Sequence, residues 1–163
     1  MGDDRLLRRK VANDLRAELA QLAAVMKDYA GFQERYGARM DRYLYRAEAS
    51  FMADFYLCSE AMFTGISDEL DGGIPRGRSW HKRQLASMAV ETPGVRPAVI
   101  SPGLLAALTP FLAFRHAIPQ AYDCSFDQKK LMALEKAFQP TQKRFCGEIE
   151  AFCTFLEGAK GSR

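Results

Sequence analysis

Phe51-Met52-Ala53-Asp54-Phe55-Tyr56-Leu57-Cys58-Ser59-Glu60-Ala61-Met62-Phe63-Thr64-Gly65-Ile66 decides the fold class. Phe51, Phe55, Cys58, Met62 and Ile66 recur at steps of four, three, four and four, the spacing of one helix face. Tyr56 and Phe63 widen that apolar stripe. The pattern predicts a helix over about 41–70, which Asp71-Gly72-Gly73 stops and Pro75 keeps from resuming. A helix of that length is about 45 Å long and suits a long two-helix core.

The flanking segments repeat the pattern. From about residue 4 to Gly31, Leu15, Leu19, Leu22, Met26 and Tyr29 alternate steps of four and three. Gly31 and Gly37 weaken the helix beyond Tyr29, and it is expected to end or bend there. A shorter helix is expected over about 79–90, carrying Trp80-His81, and Thr92-Pro93-Gly94 ends it. The chain is then expected to be extended up to Ile100. Ser101-Pro102 pairs a capping serine with proline at the first helical position, opening a helix with Leu104, Leu105, Leu108, Phe111 and Leu112. Pro110 and Pro119 should each bend it. Ser125 and Gln128 have capping-box spacing for the last helical region. Pro140 is expected to split that region, and Phe145, Ile149, Phe152 and Leu156 complete it. No segment alternates as a strand does. The expected architecture is all-α, an up-and-down bundle of four to five helices in a single domain over 1–163.

At 163 residues, 48% of them hydrophobic, the chain can bury a sizeable core. A net charge of +3 is too mild to argue nucleic-acid binding by itself. The N-terminal Arg5, Arg8, Arg9 and Lys10 stand beside Asp3 and Asp4 and read more simply as a solvated face than as an RNA contact. Cys58, Cys124, Cys146 and Cys153 lack CxxC spacing and there are two histidines, so zinc is not expected. Neither a metal nor a cofactor is expected, and reduced thiols point to a cytoplasmic protein. No signal peptide or membrane span is read.

Phe114-Arg115-His116-Ala117-Ile118-Pro119-Gln120-Ala121-Tyr122 is a polar cluster on an otherwise apolar segment. Arg115 and Tyr122 are seven apart and share a face if helical, setting a fixed cation beside a phenol. His116 is turned about 100° from Arg115 on an ideal helix and is expected to face elsewhere unless the helix bends. Each residue also has a structural reading. Arg115 could form an ion pair with a carboxylate of another helix, His116 a structural hydrogen bond, and Tyr122 an amphipathic cap on the core. Trp80 and His81 could line a pocket or a dimer contact, or simply pack.

This cluster resembles the signature of the HepT-like family, HEPN-type ribonuclease toxins that carry Arg-x4-His-x-Tyr. Arg115 and Tyr122 match it, and Gln120 stands at the histidine position. The resemblance extends from about Tyr56 to Leu156 through the ordered features Asp68-Glu69-Leu70-Asp71-Gly72-Gly73-Ile74-Pro75, Trp80-His81, Pro93-Gly94-Val95-Arg96-Pro97-Ala98 and Phe126-Asp127. It implies a HEPN-type bundle, a homodimer with the signature at the dimer cleft, and metal-independent RNA cleavage. It also implies a cognate minimal nucleotidyltransferase antitoxin that modifies the signature tyrosine, here Tyr122. The related branch reads Phe-Arg-His-x-x-Arg-His-x-Tyr, so this chain departs from it at Pro119 and Gln120. Gln120 can hydrogen-bond but does not titrate near neutral pH. The expectation is therefore a toxin-type ribonuclease domain with impaired or lost catalysis, in which Arg115, His116, Gln120 and Tyr122 are the candidate site residues. The alternative is a non-catalytic helical subunit that binds a nucleotidyltransferase or a nucleotide.

Overall fold

Five helices make up the computed structural model, which describes residues 2–117 and 127–158. They are α1 (Gly2–Tyr36), α2 (Arg42–Leu70), α3 (Trp80–Met88), α4 (Pro102–Ala117) and α5 (Gln128–Gly158). Among the described residues the only strand-like pairing is a single bridge between Thr92 and Arg96. The four long helices form the bundle, and short α3 packs against α2 and α4. The all-α expectation is met.

Helix α2 is the central element because it contacts each of the other four. Its buried positions are Glu48, Ala49, Met52, Phe55, Tyr56, Ser59, Glu60, Met62, Phe63, Ile66 and Ser67, a wider band than the stripe read from spacing. Phe51 and Cys58, placed on that stripe, are only partly buried. Phe55 sits at the centre, its ring 5.4–5.7 Å from those of Phe111, Phe138 and Phe145, so α2, α4 and α5 meet in one aromatic cluster. Leu15, Leu22 and Tyr29 of α1 and Ile149, Phe152 and Leu156 of α5 extend the same core. On its surface, Arg16 of α1 reaches Glu150 at 2.9 Å and Glu157 at 2.5 Å on α5.

Two helix boundaries depart from the sequence reading. Helix α1 runs through Gly31 to Tyr36. A helical glycine costs about 1 kcal/mol, and here Tyr29 and Phe32 pack on Phe51, with ring centroids 5.6 and 5.5 Å from it. Pro140 does not split the last region, because α5 is one helix from Gln128 to Gly158. Phe138 and Thr141 are buried on either side of Pro140, and that packing outweighs the lost backbone donor. The start of α5 is capped by Asp127, whose Oδ1 accepts from the backbone N–H groups of Lys129 and Lys130. Ser125, the capping residue expected from spacing, lies outside the described residues, as does Pro119.

The ordered features between α2 and α4 prove to be a structural clasp. Arg96 is buried, and its Nε and Nη2 donate to the two carboxylate oxygens of Asp71 at 2.8 and 2.7 Å. Nη1 donates to the carbonyls of Val90 and Pro97. Gly94 supplies the positive φ of the Thr92–Val95 turn that brings Arg96 round. Ser101 caps α4 as expected, its Oγ accepting from Leu104 N–H, and Glu148 of α5 in turn accepts from both Ser101 N–H and Oγ–H. No helix is long and apolar enough to cross a membrane among the described residues.

Candidate functional site

Glu60 organises the site. It lies on the buried side of α2, one turn beyond Tyr56, and is 8% exposed. A carboxylate at such a depth needs partners, and neighbouring helices provide two. Its Oε2 meets His81 Nδ1 of α3 at 2.6 Å, and its Oε1 meets Arg115 Nη1 of α4 at 3.3 Å. Tyr56 is buried beneath; burial, with Glu60 nearby, pushes its hydroxyl well above the ordinary range, so it is a neutral floor.

Both histidines of the chain converge here. The His81 and His116 rings are 4.8 Å apart, centroid to centroid, in an edge-to-face arrangement at 70°. Trp80 stacks on His81 at 3.6 Å and 29°. Helix α3 starts at Trp80 directly after Ser79, whose φ of 61° is uncommon for a serine. Arg115 Nη1 also lies 3.3 Å from His116 Nε2. The expectation that His116 faces away from Arg115 is thus overturned: the long guanidinium stem reaches round the last turn of α4 to the imidazole.

That contact fixes the chemistry of His116. A guanidinium has only donors, so the nitrogen it meets must carry a lone pair. Partial desolvation against its neighbours, the nearby His81 and the Arg115 cation together hold the His116 imidazole below its ordinary range, against a smaller opposing effect of Glu60. His116 is therefore a neutral, proton-accepting ring near neutral pH, and it is exposed. Arg115 and His81 are part-exposed, with side-chain values of 23% and 22%. The ion pair foreseen for Arg115 exists, but it does not seal the residue inside the core.

Of the residues expected from sequence, Arg115, His116, Trp80 and His81 come together in one cluster. Gln120 and Tyr122 lie outside the described residues. Glu60 was not foreseen. Its signal was an acid inside a band of Tyr56, Met62, Phe63 and Ile66, where a charged side chain calls for a partner. Among the described residues no thiol joins this cluster: Cys58, Cys146 and Cys153 are free, and burial raises each of them, Cys153 to about 11. The N-terminal cations are partly engaged elsewhere, Arg8 with Asp4 and the Val95 carbonyl and Lys10 with Glu69. Among the described residues no three His, Cys, Asp or Glu side chains cluster as a metal site.

A family model described as HepT-like protein matches residues 47–156, about two thirds of the chain. The matched region contains the clasp, Glu60, both histidines and Arg115. No curated protein and no solved structure matches.

Proposed function

Because this chain belongs to the HepT-like family, we propose that it is the toxin-side domain of a toxin–antitoxin type system and cleaves RNA without a metal, at a reduced rate. The observation that carries this reading is the convergence of Arg115, His116 and His81 on one accessible carboxylate-anchored site. In this reading a backbone phosphate of single-stranded RNA recruits Arg115, whose planar guanidinium suits a phosphate. Once Arg115 turns to the phosphate, His116 Nε2 is free to take the proton of the adjacent 2′-hydroxyl. The 2′-oxygen then attacks phosphorus and the 5′-oxygen leaves. Gln120 at the signature position lowers the rate because an amide cannot exchange that proton. A homodimer, and a cognate nucleotidyltransferase acting on Tyr122, belong to the same proposal.

The test is incubation of the purified protein with single-stranded RNA in excess EDTA, with mapping of the product ends. Fragments ending in 2′,3′-cyclic phosphate and 5′-hydroxyl are expected. No cleavage at any pH between 5 and 9 would end the ribonuclease reading.

One observation favours the second reading, a non-catalytic subunit that binds a nucleotidyltransferase or a nucleotide. Gln120 stands where the signature has its histidine, and an amide cannot exchange the proton that cleavage needs. Saturable nucleotide binding without cleavage, lost in Arg115→Ala, would establish it.

A further inference from the structure

We propose that His81 is the second catalytic imidazole of this site and Glu60 its positioning residue, an inference that rests on the ribonuclease reading above. Phosphodiester transfer to a 2′-hydroxyl needs two proton movements, one off the nucleophile and one onto the leaving 5′-oxygen. His116 can perform one. Gln120 cannot perform the other, and His81 is the only other histidine in the chain.

The geometry around His81 is that of a held acid. Nδ1 faces Glu60 Oε2 at 2.6 Å, one ring face lies on Trp80, and His116 stands edge-to-face at 4.8 Å. A carboxylate on Nδ1 fixes the tautomer and ring direction and stabilises the imidazolium. Nε2 remains as the nitrogen that exchanges a proton. Among the described residues, the charged and titratable groups that face the pair are Glu60 and Tyr56 from α2, Lys82 from α3 and Arg115 from α4. The carboxylate-held ring of His81 and the ring of His116, 4.8 Å apart, are placed to act on the two oxygens of one phosphodiester.

In the resulting step, His116 takes the 2′-hydroxyl proton as the bond from the 2′-oxygen to phosphorus forms. The bond from phosphorus to the 5′-oxygen breaks, and His81 Nε2–H gives its proton to that oxygen. The enzyme is left with the proton on His116 instead of His81, and exchange with water restores it.

The experiment is single-turnover cleavage of RNA in EDTA from pH 5 to 9 by wild type, His81→Gln and Glu60→Gln. A second substrate carries a bridging sulfur in place of the scissile 5′-oxygen, a leaving group that needs no proton. Wild type should give a bell-shaped profile. His81→Gln should lose about 10²–10⁴-fold on the oxygen substrate together with the alkaline limb. It should recover to near the wild-type rate on the sulfur substrate, which a misfolded variant would not do. Glu60→Gln should lose less, move the alkaline limb to lower pH and be rescued in the same way. An active wild type with undiminished His81→Gln, or with a loss that sulfur does not rescue, would overturn this assignment alone. A wild type inert on both substrates would overturn the ribonuclease reading and this assignment with it.

Discussion

Arg115 Nη1 and His116 Nε2 lie 3.3 Å apart, so the cation at the end of α4 disfavours a second charge on the adjacent imidazole. The histidine's proton affinity is lowered by burial, by His81 and by this guanidinium. Nuclear magnetic resonance of the His116 ring should therefore give a titration midpoint below 6.5, its ordinary value. Arg115→Gln should move the midpoint up. An unchanged midpoint in that variant would mean that the contact does not govern the base.

Arg96 donates from Nε and Nη2 to both oxygens of Asp71 and from Nη1 to two backbone carbonyls, so it closes the connection between α2 and α4. Removing one partner of a buried ion pair leaves the other uncompensated. Arg96→Ala should destabilise by about 3–5 kcal/mol in denaturant titration. Because the clasp lies outside the cluster of Glu60, His81, Arg115 and His116, residual folded protein at low temperature should retain the proposed RNA cleavage and its pH profile.

Glu48 is buried at 1% exposure, and its Oε2 has no hydrogen-bond partner among the described residues. Gln33 Nε2 donates to Oε1 at 2.5 Å and to the Tyr29 hydroxyl at 3.0 Å. Burial, with Glu135 of α5 nearby, raises the Glu48 carboxyl above 4.5, its ordinary value. The folded protein thus holds this proton longer than the unfolded chain does. Its stability contribution is full at low pH and is lost as pH climbs from about 4.5 through the raised folded value. Glu48→Gln should remove that slope and stabilise the protein at pH 7 by about 1 kcal/mol. Equal stability of the two proteins across pH 4–8 would contradict this.

Gln120→His restores the signature histidine. The gain in cleavage rate should be about tenfold, below the ~10²–10⁴ of a sole acid or base, because His81 meets part of the need. In the His81→Gln background the same change should give the larger gain.

The helical bundle was legible because heptad-like spacing reports which side chains point inward, and Leu15, Leu22, Phe55, Phe145 and Ile149 do so. Spacing did not show how many neighbours α2 has. Its buried band therefore spreads past the five-residue stripe to Met52, Ser59 and Glu60. Pro140 misled because local propensity says nothing about the packing of Phe138 and Thr141, which carries the helix through. The signature segment pointed to Arg115 and His116. Their partners His81 and Glu60 are distant in sequence, and only the packing of α3 and α2 against α4 joins them. Helix spacing alone set His116 apart from Arg115, since it reflects backbone angles and not the reach of a guanidinium.

Whether the Arg115 cluster cuts RNA is decided by cleavage of single-stranded RNA in EDTA by wild type and by Arg115→Ala, with thermal unfolding as a check on folding. The expected result is measurable cleavage by wild type and a loss of about 10²–10³-fold in the folded variant, the usual effect of removing a donor to the developing charge. Equal rates in the two proteins, or an inert wild type, would contradict the account.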